Sequence, residues 1–377
     1  MYSNMRRPAW VEIDSQALNH NFLEMKRLAS NSQIMCCIKA DAYGHGLVKA
    51  AWEFVKSGCD YLAVATLLEV VELRVAGIRT PIVLLTAAPR ENVKDIIDLD
   101  VITVLSNIED AELLNDEVLK SGAKPSQVLI AVETGMGRLG FTHTMGSIAE
   151  IKEISMMEGI DIKGIFSHFA AADEEDDSYT LKQIENFNLY ARELEKVNIA
   201  YGGKTLCNSA GVMRYPEAHY DIVRPGISLY GEYPSTVFNR SFAELKPVMT
   251  VKAHIVHIKE VPAGFSVSYG MRFKTERKSI IGTVPVGYGD GLPRTLTGMG
   301  RVIINGVYAP IIGTICMDMC MVDLTDVPDA KLYDEVTFLG SSHGLTITAD
   351  EIAQKTGTIN YEILTRFGQR LSRIYKG

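Results

Sequence analysis

Several features that identify large classes of proteins are missing from this sequence. Its 38 lysines and arginines are outnumbered by 46 acidic residues, the formal net charge is −8, and no basic run exceeds two residues, as at Arg6-Arg7. Proteins that bind nucleic acids or anionic membranes need clustered Lys and Arg, so neither partner is expected. No stretch approaches the roughly 18 apolar residues of a membrane helix, and no export signal is recognisable. The sequence therefore predicts a cytoplasmic protein.

Metal-binding and disulfide signatures are also scarce. The six cysteines form neither a CxxC pair nor a cluster with histidine, and their density is far below that of a disulfide-stapled domain. We therefore expect reduced thiols and no metal. The acidic run at 173–177 is expected to be a solvated loop or a helix start. No GxGxxG fingerprint of a dinucleotide-binding fold follows an early strand.

The sequence contains two halves with different patterns of predicted secondary structure. With 377 residues, of which 47% are hydrophobic and 22% charged, the chain can build two cores. Between residues 33 and 231, short apolar runs alternate with amphipathic helical stretches, a pattern of the α/β class. Eight such runs separated by helices predict a (β/α)8 TIM-like barrel, with a doubly wound open sheet as the alternative. The predicted strands are 34–38, 61–65, 82–85, 102–105, 128–132, 162–166, 205–207 and 222–223.

The second half reads as a mostly β domain. After Pro247, short strand-like runs are bounded by Gly, Pro, Asn and Asp. Asn305-Gly306 lies between two of them and predicts a type I′ hairpin turn, because both positions of that turn require positive φ. We therefore assign residues 1–245 to the barrel and residues 246–377 to a β-rich C-terminal domain.

A lysine and two loops of small residues suggest where an active site lies. Lys39 ends the first barrel strand, where burial would lower its pKa and free the amine to attack an aldehyde. The loops after the seventh and eighth strands, 207–211 and 223–231, have small residues that let backbone N–H groups reach a phosphate. Taken singly, Lys39 is also compatible with a lysine whose side chain reaches solvent at the barrel rim, and each loop is compatible with an ordinary tight turn. Together they favour a phosphate-bearing aldehyde.

Motifs from both halves, in order, resemble those of the alanine racemase family. They occupy 39–46, 134–140, 167–169, 208–211, 223–226, 268–270, 285–294 and 315–318. The resemblance spans essentially the whole chain. It implies a pyridoxal 5′-phosphate enzyme that interconverts L-alanine and D-alanine and supplies D-alanine for peptidoglycan. It also implies a head-to-tail homodimer in which each active site borrows residues from the partner chain.

The resemblance also assigns roles to individual residues. It implies that Lys39 carries the cofactor as a Schiff base and acts as one catalytic base, while Tyr269 of the second chain is the other. Arg138 and the backbone N–H of Met317 would hold the substrate carboxylate. The cofactor contacts implied by the resemblance are Lys39, Tyr43, His168, Asn208, Ser209, Arg224, Gly226, Ile227 and Tyr361.

Elementary chemistry agrees with a two-base scheme. To racemise an amino acid, a proton must leave one face of Cα and another must arrive at the opposite face. A tyrosine with a pKa near 10 is a poor base at neutral pH, so Tyr269 needs cationic surroundings, and His168 and Arg224 are the candidates. Arg224 would also leave the ring nitrogen of the cofactor unprotonated, which discourages transamination. A structural salt bridge is the alternative role for Arg224.

Two positions depart from the family's pattern. Ala131 stands where many members carry a carbamylated lysine that braces the arginine equivalent to Arg138. We expect a bound anion such as chloride, or a rearranged Arg138, to replace that brace. Thr314 stands where arginine is common, which predicts a somewhat wider substrate corridor. Three other corridor residues look retained: Asp173, Tyr288 and Arg294.

Three competing functions share parts of this pattern. A serine or broad-specificity racemase would use the same scaffold, although Tyr361 and Tyr269 would crowd its side-chain pocket. A non-catalytic pyridoxal-phosphate carrier would consist of a single barrel and would leave the second domain without a purpose. A barrel-type amino-acid decarboxylase would be expected to have a carboxylate in place of Arg224.

Overall fold

The computed structural model describes residues 7–29, 31–87 and 90–377. Its described part forms two compact units. The barrel unit contains residues 18–42 and 47–246, and the β unit contains residues 7–17, 43–46 and 247–377. All residues from Pro247 onward therefore belong to the β unit, close to the expected boundary. Two earlier segments of the chain also belong to that unit.

The first strand, β1 (Ala9–Asp14), belongs to the β unit, although we expected residues 1–245 to form the barrel. It pairs antiparallel with Met249–His254 and parallel with Ser372–Lys376. Its alternating burial places Ala9, Val11 and Ile13 in the core. Backbone pairing decides where a strand resides, and both partners of β1 lie at the far end of the chain. Local sequence therefore does not reveal its place.

The barrel unit is a closed barrel of eight parallel strands, as predicted. Each of the eight predicted apolar runs forms one strand, and the last closes on the first through the pair Gln33 and Ile222. The strands are β2 (Gln33–Cys37), β3 (Tyr61–Val64), β4 (Ile82–Leu84), β5 (Val101–Leu105), β6 (Ser126–Ala131), β7 (Ile160–Phe166), β8 (Lys204–Thr205) and β9 (Ile222–Val223).

Amphipathic helices alternate with these strands. In the helix at 47–57, for example, Leu47, Ala50, Ala51 and Phe54 are buried, which is the spacing of one helical face. The helices of this half of the chain are α1 (Ser15–Leu28), α2 (Lys39–Gly44), α3 (Leu47–Ser57), α4 (Leu67–Val75), α5 (Val93–Asp98), α6 (Ile108–Ser121), α7 (Met145–Ile154), α8 (Ser178–Lys196) and α9 (Ser209–Arg214).

The β unit is mostly β, as predicted. Its main sheet runs in the order β11-β14-β17-β16-β15-β18-β10-β1-β20, with β19 beside β18, while β12 and β13 form a separate hairpin. The elements are β10 (Met249–His254), β11 (His257–Val261), β12 (Ser266–Val267), β13 (Phe273–Lys274), β14 (Ser279–Val284), β15 (Arg301–Ile304), β16 (Val307–Ile312), β17 (Cys320–Asp323), β18 (Glu335–Ser342), β19 (Leu345–Ile347), α10 (Ala349–Thr356), α11 (Asn360–Arg366) and β20 (Ser372–Lys376).

Two smaller expectations, about a turn and a loop, are also met. Asn305 and Gly306 join β15 to β16 with φ of 47° and 78°, which is the positive-φ pair that a type I′ turn requires. The acidic run at 173–177 lies in the loop before α8. Within the described ranges, we find no helix with the length and apolarity to cross a membrane and no metal-binding cluster of His, Cys, Asp and Glu.

Candidate active site

The segment that follows β2 is a left-handed helical turn. Four consecutive residues, 40 to 43, have φ between 52° and 56°, and Gly44 follows with φ of 84°. L-residues avoid this conformation at a cost of about 1–2 kcal/mol each. Such strain persists only where the surroundings impose it, and it clusters at functional sites. Lys39 lies at the start of this turn, at the carboxyl end of β2.

Two carboxylates hold the left-handed turn in the barrel unit. Asp41 accepts the backbone N–H of Leu47 at 2.8 Å, and Glu69 accepts the backbone N–H of Ala40 at 2.6 Å. Glu69 also closes a capping box with Thr66 at the start of α4. We did not predict Glu69 as part of the site, although the Thr66-x-x-Glu69 spacing is the sequence signature of a capping box.

Arg224 is a buried cation surrounded by neutral acceptors. Its guanidinium donates to the Thr205 hydroxyl at 2.6 Å and to the backbone oxygens of Ser167 at 2.5 Å and Leu206 at 3.2 Å. It also stacks on the Phe166 ring at 4.3 Å from the centroid. No acidic side chain pairs with it in the described part of the chain, so the salt-bridge alternative is wrong. Burial lowers the pKa of Arg224 to about 10, so it remains protonated at neutral pH.

His168 is bonded to this guanidinium. Arg224 Nη2 lies 3.1 Å from Nδ1 of His168. A guanidinium can only donate, so Nδ1 must be the acceptor and the neutral ring carries its proton on Nε2. Burial and the positive charges of Arg224, Arg138 and Lys39 hold the pKa of His168 well below its usual range. The structure thus bonds Arg224 to the imidazole, on which the charges of Arg138 and Lys39 also act.

Ser209 accepts hydrogen bonds from backbone N–H groups of the loop after β9. Its hydroxyl oxygen accepts from Gly226 at 2.9 Å and from Ser228 at 3.3 Å. The N–H of Ile227, between them, has no acceptor among the described residues. Asn208, also predicted here, uses its side-chain oxygen to cap α9. This donor set, with the three nearby cations, fits a phosphate-bearing anion.

Arg138 lies in a turn organised by a carboxylate that we did not predict. Glu133 accepts the backbone N–H groups of Gly135 and Gly137, the latter at 2.9 Å. Arg138 itself is exposed and makes no hydrogen bond or ion pair with any described residue. Ala131 is fully buried at the end of β6. The turn is therefore held through its main chain, and the expected anion beside Arg138 stays a prediction.

Helix α8 ties this turn to His168. The amide of Gln183 donates to the backbone oxygen of His168 at 3.0 Å and to the hydroxyl of Thr134 at 3.4 Å. The Tyr179 hydroxyl donates to the backbone oxygen of Gly135 at 2.7 Å. These contacts carry no local sequence signal, because they depend on where α8 packs against the ends of β6 and β7.

The β unit presents the other predicted catalytic groups at its surface. Tyr269 lies between β12 and β13 with its residue surface 71% exposed, and Met317 is 52% exposed. The N–H of Met317 donates to no acceptor within the described ranges, while its backbone oxygen accepts from Gly289 at 2.8 Å. The two segments are joined where the Ser268 hydroxyl lies 3.5 Å from the sulfur of Cys316. The β unit therefore holds Tyr269 and Met317 together.

Tyr43 and Tyr361, the two predicted phosphate tyrosines, also lie together in the β unit. Their ring centroids are 6.2 Å apart. The main chain of the left-handed turn abuts α11, which carries Tyr361, because a Cβ on Gly44 would lie 2.4 Å from the backbone oxygen of Leu364. Glycine is therefore required at this close approach.

Comparison with known proteins identifies close relatives over the whole chain. The family model "Alanine racemase, N-terminal domain" matches residues 13–234 and "Alanine racemase, C-terminal domain" matches residues 248–375. Alanine racemase 1 of Clostridium acetobutylicum is 44% identical over 369 residues, which cover 98% of this chain and 95% of that protein.

Solved structures show the same likeness. Alanine racemase from Clostridium difficile 630 has a TM-score of 0.95 and 38% identity, with 99% of this chain and 97% of that chain covered. Alanine racemase from Bartonella henselae, described with covalently bound pyridoxal phosphate, has a TM-score of 0.85 and 30% identity, with 98% of this chain and 99% of that chain covered.

Proposed function

This chain belongs to the alanine racemase family of pyridoxal-phosphate-dependent isomerases, and from that premise we propose that it interconverts L-alanine and D-alanine with Lys39 and Tyr269 as its two bases. The observation that carries the proposal is the buried Arg224 guanidinium bonded to Nδ1 of His168, whose pKa is lowered by burial and by the charges of Arg224, Arg138 and Lys39. These positive charges, with no carboxylate partner for Arg224 among the described residues, suit an anionic cofactor and a substrate carboxylate.

The resemblance names the residues that would hold the cofactor. Lys39 would provide its covalent attachment, and Ser209 with the N–H groups of Gly226 and Ile227 would bind its phosphate. The hydroxyls of Tyr43 and Tyr361 would be the remaining phosphate contacts. When bound, pyridoxal phosphate supplies an electron-withdrawing ring that makes the Cα–H of an attached amino acid acidic.

Lys39 and Tyr269 move protons on opposite faces of Cα. With substrate and cofactor in place, the amine of Lys39 would accept the Cα proton from one face and become an ammonium. Tyr269 then donates its phenolic proton to the other face and becomes a phenolate. In the reverse direction the phenolate removes the proton and the Lys39 ammonium returns one, so each base is regenerated by the opposite reaction.

Arg224 and His168 set the charge of this site. The guanidinium is protonated at neutral pH and can only donate, so at the ring nitrogen it favours the unprotonated form. His168, bonded to Arg224 through Nδ1, carries an Nε2 proton that can stabilise the Tyr269 phenolate.

Arg138 and Met317 orient the substrate. The exposed guanidinium of Arg138 and the free N–H of Met317 are both available to a carboxylate. Holding the carboxylate at two points fixes the direction of the Cα–H bond relative to the two bases, and such positioning contributes to the rate.

A second copy of the chain completes the site. Tyr269 and Met317 are exposed in the single chain, together with other apolar residues of the same unit, Met271 and Met319. Large exposed apolar groups are typical of a protein interface. We propose a head-to-tail homodimer in which each barrel receives Tyr269 and Met317 from its partner.

The test is chiral analysis of L-alanine incubated in deuterated water with the cofactor-loaded protein. We expect D-alanine labelled at Cα, and no product from Lys39→Ala. A parallel incubation with L-serine measures the specificity, since a broad-specificity racemase would convert both amino acids at similar rates. Absence of both racemisation and Cα exchange in the wild type would contradict the proposal and favour a carrier.

A carrier and a decarboxylase each conflict with a feature of this chain. A single-barrel carrier lacks a counterpart of residues 248–375, which match the C-terminal domain of the family. A barrel-type decarboxylase would be expected to place a carboxylate where Arg224 lies. D-alanine made by this chain would be available for peptidoglycan, and its synthesis in the cytoplasm stays a prediction.

A further inference from the structure

The hairpin that carries Tyr269 is small and its tip is strained. Strands β12 and β13 contribute only two residue pairs, Ser266 with Lys274 and Val267 with Phe273. Ser268 and Met271, on either side of Tyr269 and Gly270, have φ of 65° and 48°, although neither is glycine. A two-pair hairpin is marginal on its own, so other contacts must fix this tip.

Thr314 supplies those contacts. Its hydroxyl donates to the backbone oxygen of Tyr269 at 2.9 Å, while the Ser268 hydroxyl donates to the backbone oxygen of Thr314 at 2.5 Å. Each residue thus binds the main chain of the other segment. Thr314 is only 3% exposed, so its hydroxyl has little access to water as a substitute partner. We call this reciprocal pair the Ser268–Thr314 clasp.

The preceding glycine allows the clasp to close. A Cβ on Gly313 would lie 2.7 Å from the backbone oxygen of Val267 and 2.9 Å from Cβ of Ser268. Gly313 also has φ of 67°, which favours glycine. The 313–314 corner therefore fits directly against the base of the hairpin tip.

The direction of the Tyr269 ring depends on this main-chain anchor. The Tyr269 hydroxyl makes no hydrogen bond to any described residue, and the ring is exposed. No hydrogen bond from the Tyr269 hydroxyl to a described residue therefore sets where the ring points.

We propose that Thr314 is a positioning residue for Tyr269, acting through the Ser268–Thr314 clasp. The inference rests on the proposed function, in which Tyr269 is a base. It also gives Thr314 a role that an arginine, with its longer side chain and no hydroxyl, would not fill in the same way. A base misplaced by about 1 Å loses on the order of 10²-fold in rate, so even a small shift of the tip would be measurable.

The experiment compares four variants of the cofactor-loaded protein. Thr314→Val removes the hydroxyl at nearly constant volume, Thr314→Ser keeps it, and Ser268→Ala breaks the other half of the clasp. Thr356→Val is the control. The Thr356 hydroxyl donates to the backbone oxygen of Ile352 at 2.8 Å, in helix α10 of the same unit and outside the β12–β13 hairpin.

Overall rates cannot show which base is affected. The two enantiomers have equal energies, so kcat/KM must remain equal in the two directions for every variant. The primary isotope effect with Cα-deuterated L-alanine and D-alanine does report each base separately. A slower Tyr269 step raises the isotope effect for the enantiomer whose proton Tyr269 removes and lowers it for the other.

We expect Thr314→Val and Ser268→Ala to lower kcat by about 10- to 100-fold with little change in KM. Their isotope effects should move in opposite directions for the two enantiomers. Thr314→Ser should restore kcat to within a few-fold, and Thr356→Val should leave both isotope effects unchanged. Amide hydrogen exchange of the peptide 266–273, measured without substrate, should rise in Thr314→Val but not in Thr314→Ser.

Tyr269→Phe separates failure of this inference from failure of the proposed function. If Tyr269→Phe retains racemase activity, the two-base scheme is wrong. If it is inactive while Thr314→Val keeps wild-type kcat, isotope effects and amide exchange, the two-base scheme stands and the clasp has no positioning role. A parallel fall of kcat without opposite isotope shifts would also overturn the clasp.

Discussion

Arg224 keeps its charge inside the barrel without an acidic partner. A buried charge is normally stabilised by an opposite charge, but here backbone oxygens, a hydroxyl and an aromatic face share that role. A nearby carboxylate would neutralise the guanidinium locally and raise the pKa of His168. Burial and the positive charges of Arg224, Arg138 and Lys39 hold the pKa of His168 low, and no carboxylate at Arg224 among the described residues opposes them. This low pKa has a measurable consequence.

The stability of the protein without cofactor should fall on acidification through His168. Its native pKa lies well below the unfolded value near 6.5, so between these values the unfolded chain binds more protons than the native chain. Stability is therefore fully present above about pH 6.5 and declines as pH falls toward the native pKa. One such group contributes a slope of up to about 1.4 kcal/mol per pH unit.

Urea unfolding at pH 7.5 and pH 5.5 measures this effect. His168→Asn should lose less stability than the wild type between the two pH values, whereas the exposed-loop control His343→Asn should behave like the wild type. Identical losses for wild type and His168→Asn would contradict the proposed neutral imidazole.

At the scale of elements, the left-handed turn after Lys39 is the least replaceable part of the barrel mouth. Gly44→Ala should destabilise the protein through two effects. The positive φ costs about 1–2 kcal/mol for any L-residue, and overlap of the new Cβ with the backbone oxygen of Leu364 adds about 1–3 kcal/mol. Gly122→Ala is the control, because Gly122 has φ of 66° but nothing within 4 Å of the new Cβ. Equal urea midpoints for the two variants would rule out the overlap.

The turn that carries Arg138 depends on Glu133. Glu133→Ala removes both acceptors of the turn, whereas Glu133→Gln keeps one oxygen. Because Arg138 is proposed to bind the substrate carboxylate, we expect KM for alanine to rise about three- to tenfold in Glu133→Ala and less in Glu133→Gln. Steady-state kinetics check this order. An unchanged KM with a lower kcat would assign Glu133 a different role.

The elements that sequence could predict are those with a local pattern. Most of the eight barrel strands lie in apolar runs between amphipathic helices, and that alternation predicts all eight, although the structure places β8 at Lys204–Thr205 rather than at 205–207. Strands β12 and β13 have two residues each and, unlike the equally short β8 and β9, do not alternate with helices, while β20 is defined mainly by its pairing with β1. Within the site, the order of the motifs along the chain predicted Lys39, Arg224 and their neighbours. Glu133 and Gln183 were not predicted, because they act through turn geometry and helix packing that no motif encodes.

At the scale of the whole molecule, the proposed catalytic groups are divided between units. Lys39 belongs to the barrel unit and Tyr269 to the β unit, so a shared dimeric site makes a distinctive prediction. Lys39→Ala and Tyr269→Phe should each be inactive alone. Refolded together in equal amounts, they should recover about one quarter of wild-type activity, because half of randomly formed dimers are mixed and one of their two sites is intact.

The control for this complementation is each variant refolded alone at the same total concentration. Recovery should also decline on dilution if the dimer dissociates. If the mixed sample stays inactive while native mass spectrometry, with one variant isotope-labelled, shows mixed dimers, both bases must come from the same chain.

Strand β1 also affects the folding of the chain during its synthesis. A ribosome adds about 5–20 residues per second, so β1 emerges on the order of tens of seconds before its neighbours at Met249 and Ser372 exist. During that interval every barrel strand is synthesised, while the apolar side chains of Ala9, Val11 and Ile13 have no sheet to enter. An unpaired apolar strand invites wrong partners. The nascent chain thus exposes an unpaired apolar strand through most of its translation, which makes it a natural client for chaperones at the ribosome exit.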